Sequence, residues 1–335
     1  MPVSKKMGID VRTLSKDDWA KYALLVIYAW DMCDVNQDPA SNDLDPRILA
    51  DGWTVVGIIT GRDNVLATAP SARQGIPPQN AGLRQSMVRP GADIRRFGYL
   101  AVNAAGDTYA AVIRGTDGAE EWIDNVVFIA ERRAQFPGRV EAGFTDIYLS
   151  MEYRPLAGGP TVSLANGIRA AVGGADVLVL GHSLGSTLAE CLTYQLADAN
   201  SLGPARVGAI MYASPKLGDH DFVAAFDSRA TNYIVINFEH DVVPLVPPFD
   251  ITHFDLYRPL PYVYTITDET VNPLDKACCH HLIDYIAMLS PAVFAQSVPT
   301  WTSDEKQCAK CLLTPASLVA LATQALAAQA AVASP

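Results

Sequence analysis

The stretch LVLGHSLGSTLAE, residues 178–190, sets a serine between two glycines, with an apolar run before it and a helix-like run after it. Gly181-His182-Ser183-Leu184-Gly185 is a Gly-X-Ser-X-Gly pentapeptide. Its flanks are those of a strand entering a helix through a turn so sharp that only small neighbours tolerate it. Such a turn exposes the serine hydroxyl above a sheet and leaves the next backbone N–H groups at a helix N-terminus.

Outward from this turn the hydrophobic period alternates. TVSLANGIRAAVGG reads as a helix, DVLVLG as a strand, SLGSTLAECLTYQLAD as a helix, RVGAIMYAS as a strand, GDHDFVAAFD as a helix and NYIVINF as a strand. Continuously apolar strands separated by helices predict a parallel sheet covered on both faces, an α/β fold. Upstream, RFGYLAVNAAGDTYAAVIRGT reads as a hairpin whose second strand points at Thr116, and GWTVVGII as a short strand. DDWAKYALLVIYAWDMC reads as a helix with one buried face. The expected organisation is one domain over residues 1–300, with an elaborated loop region at about 41–95, and an Ala-rich, helical tail over 301–335.

With 335 residues, half of them apolar, the chain can bury a substantial core. Its formal net charge of −11 disfavours nucleic acid and anionic membrane surfaces as main partners. Behind Lys5 and Lys6 no apolar stretch precedes Asp17, so no export signal is expected and the predicted compartment is cytoplasmic. Six cysteines are too sparse for a disulfide scaffold, and most are expected to be thiols. Cys308-Ala-Lys-Cys311 has knuckle spacing, but adjacent Cys278 and Cys279 make a poor complement for zinc.

A serine hydroxyl needs a base to take its proton and an acid to orient that base. NYIVINFEHDVVPLVPP delivers Asp241 at the end of a strand, where α/β sites are built, with Glu239 and Asp250 as nearby rivals. Among six histidines, His280 and His281 stand before the helix LIDYIAML, whose apolar face carries Leu282, Tyr285, Ile286 and Leu289. Residue chemistry leaves the choice between these two neighbours open.

YAAVIRGTDGAEEWIDNVVF, VEAGFTDIY, GHSLGSTLAE, SPKLGDHDF, INFEHDVVPLVPP and HHLIDYIAML occur in the order seen in class 3 lipases. The chain thus resembles the fungal triacylglycerol lipase-like branch of the α/β hydrolases over roughly residues 95–290. The resemblance implies an α/β-hydrolase fold, a mostly parallel sheet with helices on both faces, and a triad of Ser183, Asp241 and a histidine. It lines up His280 with the base and His281 with the small residue that usually follows. It implies an oxyanion hole from Thr116 and Leu184, and a lid at about 117–130 whose Trp122, Ile123 and Val126 meet the acyl chain. The implied activity is hydrolysis of carboxylic esters of apolar acyl chains, on lipid or small-molecule esters, with transient contact with lipid interfaces. No metal or organic cofactor is implied. Phospholipase A1, feruloyl-type esterase and a catalytically silent binding protein are the alternative readings.

Overall fold

The structure is a computed structural model that describes residues 8–35, 38–62, 94–115, 128–247, 256–267, 271 and 276–302. The N-terminal part contains α1 (Lys16–Val35), α2 (Pro46–Ala50), β1 (Trp53–Arg62), β2 (Ile94–Asn103) and β3 (Thr108–Ile113). Next come β4 (Ala130–Glu131), β5 (Val140–Glu141), α3 (Ala142–Leu149), β6 (Glu152–Pro155) and β7 (Val162–Ser163). The alternating half holds α4 (Leu164–Val172), β8 (Asp176–His182), α5 (Leu184–Leu196), β9 (Val207–Tyr212), α6 (His220–Arg229) and β10 (Tyr233–Phe238). It closes with β11 (Val263–Ile266), α7 (Lys276–His280), α8 (Leu282–Leu289) and α9 (Pro291–Ser297).

Among the described residues nine strands form one sheet in the order β11-β10-β9-β8-β3-β2-β1-β6-β7. Strands β11 to β3 pair in parallel, whereas β3-β2-β1-β6-β7 pair antiparallel. Strands β8, β9 and β10 are those read from the alternating period and β3 is the second strand of the expected hairpin; β11 at the parallel edge and β6 and β7 in the antiparallel wing, of two to four residues each, carry no legible pattern. In the parallel half every C-terminal end lies along one edge, and the sequence direction reverses between β8 and β3, which is where a crevice opens in such sheets.

Side-chain alternation sorts the strands into two cores. Leu178 and Leu180 face α1 and α8, while Val177 and Val179 face α4 and α5. Each side chain buried this fully contributes about 1.5–3 kcal/mol. Helix α1 departs from expectation: Ala20, Ala23, Leu24, Leu25, Val26, Ile27, Tyr28 and Ala29 are all buried, so more than one face is covered. The cause is its position between the sheet and the helices α8 and α9, which leaves polar residues mainly at its ends. No described helix is long and apolar enough to cross a membrane. Cys278 is disulfide-bonded, whereas Cys33, Cys191 and Cys279 are thiols. The CAKC motif and the Ala-rich tail lie outside the described residues.

Behind the serine turn, Glu190 on α5 is buried with its carboxyl 2.9 Å from the Ser214 hydroxyl. Burial pushes its pKa up to about 8 from 4.5. Below pH 4.5 the carboxyl is neutral in both folded and unfolded chains, and between 4.5 and 8 only the unfolded chain ionises. Stability from this group is therefore present at low pH and lost as pH rises through 8. Glu190→Gln keeps the hydrogen bond and cannot ionise. Urea unfolding is expected to show the variant close to wild type near pH 5 and more stable at pH 9 by on the order of 4 kcal/mol.

Candidate active site

Ser183 sits between β8 and α5 with φ 58° and ψ −132°, one of two non-glycine residues at positive φ among the described residues. That conformation is strained, and the local sequence is built around it. A Cβ on Gly181 would lie 2.3 Å from the Gly185 carbonyl oxygen, and one on Gly185 would lie 2.5 Å from the carbonyl oxygens of Ile113 and Arg114. Both flanking glycines are thus demanded by backbone packed against backbone. The turn is tied down by the Ser183 N–H and the Ser186 hydroxyl, both donating to the Tyr212 carbonyl at 3.0 and 2.8 Å.

Asp241 follows β10, its N–H donating to the Phe238 carbonyl at 3.1 Å. Its Oδ1 accepts the Val243 N–H at 2.9 Å, which folds the loop back on itself. Its Oδ2 lies 2.9 Å from His280 Nδ1, and His280 Nε2 lies 2.9 Å from Ser183 Oγ. A carboxylate only accepts, so Nδ1 carries the ring proton and Nε2 is left to accept from the serine hydroxyl. All three side chains are buried.

The structure separates the two histidines that the sequence left together. Helix α7 ends at His280 and α8 begins at Leu282; His281 between them is extended, at φ −64° and ψ 129°. Its carbonyl accepts the Asp284 and Tyr285 N–H groups and opens α8, while the neighbouring ring is the one set between Ser183 and Asp241. Of the rival acids, Glu239 is exposed and lies 3.8 Å from His240; Asp250 is outside the described residues.

Leu184 is the first residue of α5, so its N–H has no partner within the helix. Thr116, Trp122, Ile123 and Val126 lie outside the described residues. The strand leading to Thr116 does reach the serine, since a Cβ on Gly115 would lie 3.0 Å from Ser183 Cβ. Arg114 holds that strand end, donating to the carbonyls of Arg96 at 2.8 Å and Gly115 at 2.6 Å.

Tyr285 was legible only as an apolar-face residue. Its hydroxyl donates to Asp241 Oδ2 at 2.7 Å and accepts the Phe238 N–H at 2.9 Å. Burial and then the neighbouring carboxylate push its pKa well up, so it stays a donor. The missed signal is that a buried tyrosine needs a hydroxyl partner, and that an acid loop stood within reach. Tyr285→Phe deletes a hydrogen bond to a charged acceptor. The expected result is kcat/KM on an ester lowered about tenfold, the equivalent of roughly 1.5 kcal/mol, with KM unchanged.

Residues 110–251 match the family described as lipase (class 3). Over this stretch, which is less than half of the chain, the sequence is similar to class 3 lipases. Two curated relatives, both from Oryza sativa subsp. indica, are phospholipase A1 EG1, chloroplastic/mitochondrial, 28% identical over 150 residues, and phospholipase A1-II 7, 36% identical over 87 residues. The alignments cover 40% and 22% of this chain, and the chain spans 34% and 21% of those relatives. Among solved structures, a triacylglycerol lipase described as having a serine protease triad at its catalytic centre is 17% identical with TM-score 0.53. It aligns with 75% of this chain and 80% of its own. The Rhizomucor miehei lipase propeptide complex is 16% identical with TM-score 0.51, over 82% and 76% of the two chains. At these identities the likeness is one of fold, the α/β-hydrolase fold, and this chain shares it with a mixed sheet of nine strands among the described residues.

Proposed function

We propose that this chain is a serine hydrolase that cleaves carboxylic esters of apolar acyl chains through an acyl-enzyme on Ser183. The observation that carries the reading is the buried relay of Ser183, His280 and Asp241, each step 2.9 Å, beginning at a serine in a strained turn. In this reading His280 takes the Ser183 proton as Oγ attacks the ester carbonyl, and Asp241 stabilises the imidazolium that forms. The oxyanion is received by the Leu184 N–H and by Thr116, each donor contributing on the order of 3 kcal/mol. His280 then gives its proton to the leaving alcohol, and water repeats the sequence to free the acid. Every step is carried by side chains and backbone of the chain itself.

The apolar segment with Trp122, Ile123 and Val126 is proposed to cover the site and to meet both the acyl chain and a lipid interface. Cleavage of an acyl ester in a phospholipid is the second reading, favoured by the two rice relatives, both phospholipases A1. The net charge of −11 favours neutral over anionic substrates. A panel of p-nitrophenyl esters from acetate to palmitate, beside a triglyceride and a phosphatidylcholine, tests these readings. Turnover rising with chain length and extending to the triglyceride supports a lipase. A maximum at acetate without triglyceride turnover makes it an esterase, and preference for phosphatidylcholine makes it a phospholipase.

A further inference from the structure

His182 lies beside the serine in sequence, and its ring packs on that of His280. Its Nε2 is 2.9 Å from the backbone carbonyl oxygen of His280, and the two imidazoles stack with centroids 4.7 Å apart and planes inclined by 30°. The same ring meets Tyr285 edge-on at 6.4 Å. His182 is thus in contact with both the base and the tyrosine that holds the acid. A carbonyl oxygen only accepts, so Nε2 of His182 carries the hydrogen. The accepting carbonyl belongs to the last residue of α7, a position that helix geometry leaves without an intrahelical partner.

We infer that His182 is a positioning residue whose imidazole fixes His280 by clamping its backbone carbonyl and backing its ring. The inference rests on the serine-hydrolase reading above. Two contacts from one rigid side chain restrict the two ways His280 can leave Ser183, by rotation of the helix junction and by tilt of the ring. Burial, then the neighbouring His280, hold the His182 pKa well below the usual histidine range. It therefore stays uncharged when His280 becomes an imidazolium, and the stack adds no like-charge repulsion at the transition state.

The two contacts can be separated by substitution. His182→Phe keeps an aromatic ring and deletes the N–H; His182→Gln places an amide N–H near the Nε2 position and deletes the ring. The full chain is assayed on a soluble p-nitrophenyl ester, with active sites counted by a fluorophosphonate. The expected result for His182→Phe is kcat per titrated site lowered roughly 10- to 100-fold with KM within twofold, the size of effect of a slightly misplaced base. His182→Gln is expected to recover at least half of that loss on a logarithmic scale. Both variants within twofold of wild type overturn the inference, as does an equal loss in both that disappears after correction for titrated sites. Wild-type protein that neither turns over ester nor takes up phosphonate overturns the serine-hydrolase reading instead, and this inference with it.

Discussion

Asp241→Asn is expected to lower kcat on a soluble ester by about 10⁴-fold while leaving the thermal midpoint within a few degrees of wild type. Asp241 Oδ2 sits 2.9 Å from His280 Nδ1 and 2.7 Å from the Tyr285 hydroxyl, and its Oδ1 accepts the Val243 N–H. An asparagine has one oxygen for these three donors and offers an N–H₂ of its own. With the oxygen turned to Val243, the amide faces His280 and drives its proton to Nε2, and that nitrogen can no longer accept from Ser183. With the oxygen turned to His280, the amide opposes the Val243 N–H and the loop shifts. Either way the imidazolium loses a carboxylate at contact distance in a buried site. Initial rates on p-nitrophenyl butyrate check this, with thermal unfolding as the control. A loss below about tenfold means that Asp241 does not orient the base.

Gly185→Ala is expected to remove activity by a structural route. The added methyl would meet two backbone carbonyl oxygens, of Ile113 and Arg114, at 2.5 Å, and a backbone carbonyl cannot swing aside as a side chain does. Either α5 moves away from β3, or β3 moves away from β8. Both separate Ser183 from the strand end that leads to Thr116. Overpacking of this kind against backbone is expected to cost about 4 kcal/mol, which for a chain of this size lowers the thermal midpoint by about 6 °C. Activity of the surviving folded fraction is expected below about 1% of wild type, read as turnover per correctly folded molecule. An alanine variant with a wild-type melting temperature and rate would contradict the packing described for the turn.

Such close packing explains why the turn was so legible. Gly181 and Gly185 are glycine because backbone fills the space a side chain would take, so the local sequence records the tertiary contact directly. The alternating half of the fold was legible for a related reason: buried parallel strands must be apolar on both faces, and the two cores divide their residues by parity. Other features leave no such trace. Helix α1 reads as one-sided from its spacing, but α8 and α9 cover a second side, and those helices lie far along the chain. His280 and His281 are chemically identical, and only the change from helix to extended backbone at His281 decides which ring lies between serine and acid. Tyr285 and His182 were read as an apolar-face residue and a turn residue. Their roles depend on contacts that span 44 and 98 positions of sequence.

The covalent reaction of Ser183 tests the central claim most directly. Wild-type chain, His280→Ala and Ser183→Ala are incubated with a fluorophosphonate at neutral pH, digested, and the labelled peptide is mapped by mass spectrometry. The relay described here predicts a single stoichiometric label on Ser183 in the wild type, a rate lowered by at least about 10³-fold in His280→Ala, and none in Ser183→Ala. Labelling of wild type and His280→Ala at the same rate, or no label on Ser183 in the wild type, would contradict it.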